Sequence, residues 1–434
     1  MEELAAEEDS SSKEPLKIAV WHNLPSGGGK RALYYHVRGL VQHGHSVESW
    51  CSNMSNRDYL PLRDFGAEHV VPLEVAPGRL SRLASRSDML KGELHSDRLT
   101  EARALNEHCQ RCAEEINRGR FDVLFANSSM IMGAASIGRY VETAKLLYLQ
   151  EPNRGLYEAN VNGLPWTAPA AISRPWSRPR YIAWSLMNEI GIYQLRILAR
   201  EELINAKSFD RILVNSFFSR ESLLRAYGLD PRVCYLGIDT ELFADKRRPR
   251  ETFVVSLGEL GSHKGAEFVI RSVAKIQVPR PRLVWIGNAY HKTYGEAMSS
   301  LAESLGVDFE VRTRVGDSEL VDLLNRAAVM AYAPRLEPFG FAPLEANACG
   351  LPVVAVAEGG VRETIQDGVN GLLVEHDPEA MGKAIERLLR EREYADDLGR
   401  RGRQMVSEHW TLDAAVTRIA QQLSATIAAR HQQK

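Results

Sequence analysis

The feature that most constrains the fold is an alternation of short apolar runs with amphipathic stretches, which the chain shows in both halves. The apolar runs are rich in β-branched residues, and helical spacing of apolar side chains marks the stretches between them. Strands buried on both faces with helices between them are typical of parallel βαβ units. The alternation therefore predicts two doubly wound α/β domains in tandem.

The predicted elements cover most of the chain. The predicted strands are Leu16–Leu24, Ser46–Cys51, His69–Val75, Phe121–Ala126, Ala144–Gln150, Arg211–Asn215, Val233–Ile238, Phe253–Leu257, Arg282–Gly287, Asp308–Arg312, Val329–Ala333, Pro352–Val356 and Gly371–Val374. The clearest predicted helices are Lys30–Gln42, Lys264–Ile276, Ser318–Ala327 and Glu379–Arg390. Because ligands of doubly wound sheets bind at the carboxyl ends of the strands, the loops that follow strands are the place to look for a site.

A charged, proline-containing stretch at 245–251 separates the two halves and is the predicted interdomain linker. We expect a flexible acidic tail over 1–15, a first Rossmann-like domain over 16–240 and a second over 241–410. We expect the last helical segment, 411–434, to pack back on the first domain.

The composition excludes several classes of protein. The chain has 434 residues, with 54 Lys and Arg against 56 Asp and Glu, so its net charge is −2. This balance argues against nucleic acid as a partner. No apolar, uncharged window reaches the roughly 18 residues of a spanning helix, and the acidic N-terminal segment lacks the order of a secretory signal. We therefore expect a cytoplasmic enzyme.

The five cysteines, at 51, 109, 112, 234 and 349, are too scattered for a disulfide framework. Cys109 and Cys112 form a C-x-x-C beside His108, which invites a metal or redox interpretation. No second pair stands at zinc-site spacing, and the surrounding stretch indicates one charged helix. We therefore favour a structural role for both cysteines.

Three glycines at 27–29 lie between the first strand and the next helix, and Lys30 follows them. A P-loop is excluded, because Leu24 stands where its first glycine belongs and Arg31 where its Ser or Thr belongs. Neither a dinucleotide fingerprint nor a D-x-D is present. Glycines before a helix let a ligand approach the backbone, and the helix N-terminus favours an anion. A plain strand–helix turn is the alternative.

The most specific signal lies in 333–354. A strand is predicted to end near Ala333, a loop carries Glu337, and a helix begins near Phe341 with Glu345 inside it. Amide groups at the start of that helix suit phosphate oxygens, and the two carboxylates can flank one ligand. The alternative is that Glu337 caps the helix and Glu345 lies on the surface.

As a set, these residues resemble the signature of glycosyltransferase family 4. The matching residues are Glu337, Phe339, Gly340, Glu345, Ala346, Ala348, Gly350, Pro352, Gly359, Gly360, Glu363, Asp367, Gly368, Asn370 and Gly371, with Ser208–Ser216, Gly237–Phe243 and Trp410 around them. The resemblance extends roughly from Lys17 to Ile427. It implies the GT-B fold, in which two Rossmann-like domains face a central cleft, and a retaining reaction that needs no metal or other cofactor.

The resemblance also implies residue roles. Lys264 corresponds to the lysine that stabilises leaving-group charge on the donor diphosphate without a metal. Glu345 is expected to bind the ribose hydroxyls, and Glu337 to lie beside the transferred sugar. The predicted catalytic residues are Glu337, Lys264 and Gln150. The predicted donor-binding residues are Gly28, Gly29, Glu259, Lys264, Asn288, Arg314, Val315, Glu337, Phe339, Gly340, Phe341 and Glu345.

Two departures from the family pattern concern the same chemistry. Glu259 replaces the usual arginine, so the second diphosphate cation is missing, and Arg335 is a candidate substitute. Gln150 replaces a histidine and cannot act as an acid or base near neutral pH. A front-face reaction, in which the donor phosphate takes the acceptor proton, requires no protein nucleophile. The predicted acceptor-side residues are His22, Gln150, Glu151, Asn153 and Trp166.

The least family-like stretch, 155–200, combines Trp, Tyr and Arg with several prolines. It is predicted to be a lid or an acceptor pocket. Contact with a membrane interface, which would place the enzyme peripherally at the inner face, is the second interpretation. The first is favoured because the prolines prevent one long amphipathic helix.

These expectations define a retaining glycosyltransferase with a UDP- or GDP-sugar as donor. The acceptor is a hydroxyl group of a saccharide, a small molecule or a lipid-linked compound. Two alternatives stay open: a nucleotide-sugar epimerase or hydrolase of the same fold, and a non-catalytic sugar-nucleotide binder. The second alternative is suggested by Glu259 and Gln150.

Overall fold

The computed structural model describes residues 14–75, 98–157, 179–277, 279–287 and 292–432. Two predicted site residues, Trp166 and Asn288, lie outside these ranges, as does much of the 155–200 stretch. The chain divides into two units. The first contains the described residues up to Val214, with 220–233 and 418–432, and the second contains 215–219 and 234–417.

The first unit is built on one parallel sheet. Its strands are β1 (Lys17–Asn23), β2 (Ser46–Ser52), β3 (Glu68–Val71), β4 (Val123–Ser129), β5 (Ala144–Tyr148), β6 (Arg211–Val214) and β7 (Arg232–Val233), in the order β3-β2-β1-β4-β5-β6-β7. Its helices are α1 (Gly28–Gln42), α2 (Arg98–Arg118), α3 (Arg154–Tyr157), α4 (Pro179–Ala206) and α5 (Phe217–Tyr227, of which 217–219 count with the second unit).

The second unit repeats this plan. Its strands are β8 (Phe253–Leu257), β9 (Arg282–Gly287), β10 (Phe309–Thr313), β11 (Val329–Tyr332), β12 (Val353–Val356) and β13 (Gly371–Val374), in the order β10-β9-β8-β11-β12-β13. Its helices are α6 (Ala266–Ala274), α7 (Lys292–Ser304), α8 (Asp317–Arg326), α9 (Phe341–Ala348), α10 (Val361–Thr364), α11 (Pro378–Arg390), α12 (Arg392–His409) and the start of α13 (Leu412–Gln432).

The central strands are buried on both faces, as the continuous apolar runs predicted. Every residue of β1 after Lys17 is buried, and so are all four residues of β11 and β12. All registered pairs in both sheets are parallel. The strand order reverses direction next to β1 in the first sheet and next to β8 in the second, which is the doubly wound pattern.

Three elements are shorter than predicted, two of them because a proline or a glycine interrupts the regular backbone. The run at 69–75 forms a strand only to Val71, because Pro72 has no N–H to continue the ladder. The helix predicted from Lys264 begins at Ala266, because Gly265 takes φ +76 and separates it from a short 3₁₀ turn, Ser262–Lys264. The run at 233–238 forms only the end of β7.

The stretch 245–251, predicted as a linker, lies inside the second unit. The chain passes between the units at four points, which follow Val214, Ser219, Val233 and Thr417. Arg250 explains why this charged stretch is integrated. Its guanidinium donates to the carbonyl oxygens of Leu324 at 2.7 Å and Cys349 at 2.9 Å. The charge thus binds the ends of two helices instead of facing solvent.

The C-x-x-C motif is structural. Cys109 and Cys112 are buried on α2, and burial raises the pKa of Cys109 to about 12. His108 accepts a hydrogen bond from the Trp21 indole at 3.3 Å, and its other ring nitrogen lies 3.1 Å from the Val71 carbonyl. Within the described ranges, no three His, Cys, Asp or Glu side chains are grouped to hold a metal ion. None of the described helices is both long and apolar enough to span a bilayer.

Candidate active site

The predicted donor residues gather where the second sheet changes direction. β8 connects onward to β9 on one side, and β11 connects to β12 on the other, so the loops after β8 and β11 meet at a topological switch point. Crevices of this kind are where doubly wound sheets bind ligands. The loop after β8 carries Glu259 and Lys264, and the loop after β11 carries Glu337.

Lys264 and Glu337 form an ion pair across this switch point. Lys264 Nζ lies 2.8 Å from Glu337 Oε2, and the two side chains are 24% and 16% exposed. The loops approach so closely that a Cβ on Gly265, which has φ +76, would lie 2.1 Å from the Ala333 carbonyl oxygen. Glycine next to the lysine is therefore required both by backbone conformation and by space.

Glu345 is buried, with 3% of the residue exposed, so the alternative that placed it on the surface is wrong. Tyr332, the last residue of β11, links it to Glu337. Burial raises the pKa of Tyr332, the charges of Glu337 and Glu345 raise it further, and the phenol is hydrogen-bonded to Glu337. Both carboxylates of the E-x₇-E motif therefore lie near one phenol that sequence reasoning did not identify.

The start of α9 is available to an anion. Gly340 precedes it with φ +98 and has no side chain that could cap the helix. Glu337, the alternative cap, instead pairs with Lys264 at 2.8 Å. The unpaired N–H groups of a helix N-terminus favour negative charge. Gly340, Phe341 and the two carboxylates thus combine hydrogen-bond donors and acceptors within one loop and one helix.

Two glycines hold the Glu337 loop from behind. A Cβ on Gly359 would lie 2.4 Å from the Glu337 carbonyl oxygen, and one on Gly360 would lie 2.2 Å from that of Pro338. The Gly360 N–H also donates to the Glu337 carbonyl at 2.8 Å. The backbone of the loop is therefore packed directly against another backbone, which fixes the position of the Glu337 main chain.

Aromatic side chains support the same loop. Phe339 is 2% exposed, and its ring centroid lies 5.4 Å from that of Phe341 and 5.6 Å from that of Trp410. Tyr235 packs on Trp410 at 5.0 Å. Ser216 donates to the Pro338 carbonyl at 2.5 Å. The sequence signal for Trp410 and Ser216 was their place in the family pattern, whereas Tyr235 had no signal.

The remaining donor-side predictions lie on neighbouring loops. Arg314 is exposed directly after β10 with φ +57, and Val315 follows it. Glu259 lies in the loop after β8, where its carbonyl accepts from the Gly261 N–H at 2.8 Å. Arg335, the candidate substitute cation, is paired with Glu358 at 3.1 Å. A diphosphate would therefore have to compete with Glu358 for Arg335.

The first unit has its own switch point, beside β1 and β4. His22 and Asn23 end β1, and both are fully buried. Lys30 is also fully buried, and its Nζ lies 3.3 Å from His22 Nε2. Burial lowers the pKa of His22 well below its usual value, and the Lys30 charge lowers it further. His22 is therefore a neutral imidazole fixed at the strand end.

The other first-unit predictions surround this strand end. Gly28 and Gly29 form the first turn of α1, which begins two residues earlier than predicted. A Cβ on Gly29 would lie 3.4 Å from Gln150 Nε2, so the loops after β1 and β5 touch. Glu151 is paired with Arg154 at 2.6 Å. The Asn153 side chain accepts from the Gly155 N–H at 3.1 Å.

Comparison with known proteins identifies relatives of the second half of the chain. Residues 238–405 match the family model for glycosyl transferases group 1. D-inositol 3-phosphate glycosyltransferase of Acidothermus cellulolyticus is 32% identical over 218 residues, which are 45% of this chain and 48% of that protein. The protein of the same name from Mycobacterium marinum is 30% identical over 217 residues, which are 45% of each chain. The chain thus spans about half the length of the curated relatives it matches.

Solved structures extend the likeness to both units. Anabaena HepE in complex with UDP and glucose superposes with a TM-score of 0.68 at 18% identity, covering 94% of this chain and 99% of that one. Sucrose-phosphate synthase from Thermosynechococcus elongatus gives a TM-score of 0.65 at 18% identity, covering 95% and 100%. The predicted α/β architecture of the GT-B type is confirmed. Residues 238–405 are therefore a glycosyl transferases group 1 domain, and the resemblance to glycosyltransferase family 4 that the motifs predicted is confirmed.

Proposed function

We propose that this chain is a retaining glycosyltransferase that transfers a sugar from a UDP- or GDP-sugar to a hydroxyl acceptor. The observation that carries the proposal is the Lys264–Glu337 ion pair at the second switch point, with Glu345 buried beside it and the uncapped start of α9 in the same loop. This set supplies one cation, two carboxylates and free N–H donors. A nucleoside diphosphate sugar presents the matching groups, namely charged phosphates and neutral hydroxyls.

In the proposed reaction the acceptor hydroxyl attacks the anomeric carbon from the face that the diphosphate leaves. The bond from that carbon to the diphosphate oxygen breaks, and the departing phosphate takes the acceptor proton. Lys264 and the N–H groups at Gly340 and Phe341 stabilise the charge that builds on the diphosphate. Glu345 accepts hydrogen bonds from the ribose, and Glu337 orients Lys264 and the transferred sugar. None of these steps requires a metal.

The relatives suggest the compounds to try first. The curated relatives carry the name D-inositol 3-phosphate glycosyltransferase, and HepE was solved with UDP and glucose. Inositol 3-phosphate is therefore the first acceptor, with other polyols, saccharides and lipid-linked sugars beside it. UDP-sugars are the first donors, and GDP-sugars are the second.

The test is a transfer assay on the purified full chain with these panels, with and without EDTA, and with NMR of the product anomer. We expect a product that retains the donor's anomeric configuration and a rate that EDTA leaves unchanged. Lys264→Ala and Glu345→Ala should each lower kcat/KM for the donor by about 100-fold or more, since each removes a group aimed at the donor.

The Lys383–Glu379 pair offers a matched control, because it joins the same residue types at 3.0 Å on the surface of the same unit. Lys383→Ala should leave the kinetics within about twofold of the parent. Conversion of the donor sugar without acceptor would indicate an epimerase, release of free sugar a hydrolase, and tight UDP binding without turnover a non-catalytic binder. Each of these results would overturn the proposal.

A further inference from the structure

A buried carboxyl group in the first unit contacts a predicted acceptor-side residue but has itself been given no role. Glu202, near the end of α4, is fully buried. It accepts hydrogen bonds from the Tyr227 hydroxyl at 2.5 Å, the Gly133 N–H at 3.1 Å and the Asn153 N–H at 3.4 Å. A charge removed from water is retained only where such partners satisfy it.

The two N–H donors come from segments that follow different strands. Gly133 lies after β4, and Asn153 lies after β5. The fit is close, since a Cβ on Gly133 would lie 3.1 Å from Glu202 Oε1 and 3.5 Å from the Asn153 nitrogen. One carboxyl group therefore joins two loops at the carboxyl edge of the first sheet, where ligands of doubly wound folds bind.

The segment that Glu202 holds contains predicted site residues. Gln150 packs against Gly29 at the start of α1, and Asn153 follows three residues later. The Asn153 N–H bond to Glu202 thus sets the position of 150–153 from behind. Gly133 and Asn153 both donate their N–H groups to this carboxyl group.

The groups that face Glu202 are phenols and amides. Tyr157 packs edge-on against Tyr227 with centroids 5.0 Å apart and donates its own hydroxyl to the Ala199 carbonyl at 2.7 Å. Burial raises the pKa of Glu202 to about 7, against the opposing effect of its hydrogen bonds from Tyr227, Asn153 and Gly133. Backbone N–H groups only donate, so a proton on Glu202 removes an acceptor site that they need.

We propose that Glu202 is a positioning residue for the acceptor: in its ionised form it holds the loops at 133 and 150–153, and productive acceptor binding requires that form. The role in acceptor binding rests on the proposed function. The structural role, in which Glu202 holds the two loops, does not depend on it, so the two roles can be tested separately.

The first experiment needs no substrate. Amide hydrogen exchange of the full chain should show protection at Gly133 and Asn153 that falls at least tenfold in Glu202→Gln. Glu201→Gln is the matched control, because Glu201 is the preceding residue of α4 and its carboxylate, 45% exposed, pairs with Arg139 at 2.8 Å instead of with these loops. Equal protection in the parent and in Glu202→Gln would overturn the holding role.

The second experiment measures the acceptor KM and the donor KM from pH 6 to pH 8. The acceptor KM of the parent should fall as pH rises through the titration of Glu202, while the donor KM stays flat. Glu202→Gln should raise the acceptor KM about tenfold and abolish its pH dependence, with the donor KM and kcat within twofold. A parent acceptor KM that does not change with pH would overturn the proposal.

Tyr227→Phe provides a readout that a purely structural role would not move. The Tyr227 hydrogen bond favours ionised Glu202, so its loss should shift the midpoint of the acceptor KM profile to higher pH. An unshifted midpoint would contradict the proposal even if Glu202→Gln failed to fold. If no acceptor is used at all, the proposed function fails, while hydrogen exchange still decides whether Glu202 holds the loops.

Discussion

At the scale of single residues, the second-unit site contains a buried phenol, Tyr332, beside its charged groups. This phenol is fully buried at the end of β11, near Glu337 and Glu345 and hydrogen-bonded to Glu337. Two like charges in one site repel each other, and a hydrogen-bond donor to one of them offsets part of that repulsion. The Tyr332 hydroxyl therefore helps to orient Glu337, which pairs with Lys264.

We predict that Tyr332→Phe lowers kcat/KM for the donor by about tenfold or more, because a hydrogen bond to a charged group contributes about 1.5–3 kcal/mol. The acceptor KM should change little. Steady-state kinetics with each substrate varied in turn is the measurement. Tyr394→Phe is the control, since its ring packs under Arg387 elsewhere in the unit. Unchanged donor kinetics in Tyr332→Phe would show that Glu337 is oriented without it.

The sequence identified the charged residues of this site but not the residues that position them. Lys264, Glu337 and Glu345 were predicted because they match positions of the motifs that resemble glycosyltransferase family 4. Tyr332 ends an apolar strand and cannot be distinguished there from a core residue. Glu202 lies in a helix with other charged residues, and only tertiary contacts show that it is buried.

At the scale of elements, glycines determine where helices and loops begin. The β-branched runs predicted almost every strand, since hydrophobic periodicity reports burial directly. The exact ends of elements depended on single residues. Pro72 ends a strand and Gly265 delays the start of a helix, although the apolar pattern continues past both. The 3₁₀ turn that carries Lys264 exists because Gly265 interrupts the helix at φ +76.

Glycine can be required at a position by a positive φ or by lack of space for a Cβ, and two glycines of the second unit distinguish these reasons. Gly265 and Gly368 have φ +76 and +69, but a Cβ would meet the Ala333 oxygen at 2.1 Å only in the first case, and nothing within 4 Å in the second. We predict that Gly368→Ala lowers the free energy of unfolding by about 1–2 kcal/mol from backbone strain alone. Gly265→Ala should lower it by about 2 kcal/mol more, because the added methyl group overlaps a backbone atom.

Urea unfolding of both variants measures this difference, and UDP binding gives a second readout. Gly265→Ala should weaken UDP binding because Lys264 moves with the turn, whereas Gly368→Ala should leave it unchanged. Equal losses of stability in the two variants would mean that the loops after β8 and β11 separate easily.

At the scale of the whole molecule, several buried histidines lie in the first unit. Burial lowers the pKa of His36 to about 3 and that of His108 to about 4, and it lowers the pKa of His22 as well. A histidine with a lowered folded pKa destabilises the fold as pH drops, because the unfolded chain binds a proton that the folded chain does not. Glu202 acts in the opposite direction, since its raised pKa lets the folded chain bind a proton first.

We predict that the stability of the chain falls as pH drops below about 6.5, the unfolded pKa of histidine. Histidines with a lowered pKa outnumber this glutamate, so near pH 5.5 the unfolded chain binds more protons than the folded chain and the free energy of unfolding falls as pH drops. The measurement is the free energy of unfolding in urea at several pH values. His36→Gln should reduce the slope, and exposed His431→Gln should not. A flat profile between pH 7 and pH 5 would contradict the prediction.

Two tandem α/β domains could be predicted from the apolar pattern, because the spacing of apolar residues within each strand and helix shows which of its faces is buried. The assignment of chain segments to units could not, since it depends on contacts between distant residues. The charged stretch at 245–251 was expected to link the two domains, yet it counts with the second unit, where Arg250 donates to helix-end carbonyls. Residues 418–432 count with the first unit, where Arg430 pairs with Asp210 at 2.9 Å.

The five residues at 215–219 have a consequence for dissecting the protein. They are counted with the second unit although they directly follow β6 of the first. Ser216 donates to the Pro338 carbonyl, and the Phe217 and Phe218 N–H groups donate to Glu363 at 2.8 and 3.0 Å. A fragment that starts at Cys234 would lack all three donors. Truncation by sequence order would therefore remove part of the support for the Glu337 loop, and a circularly permuted gene that keeps 215–219 attached would preserve it.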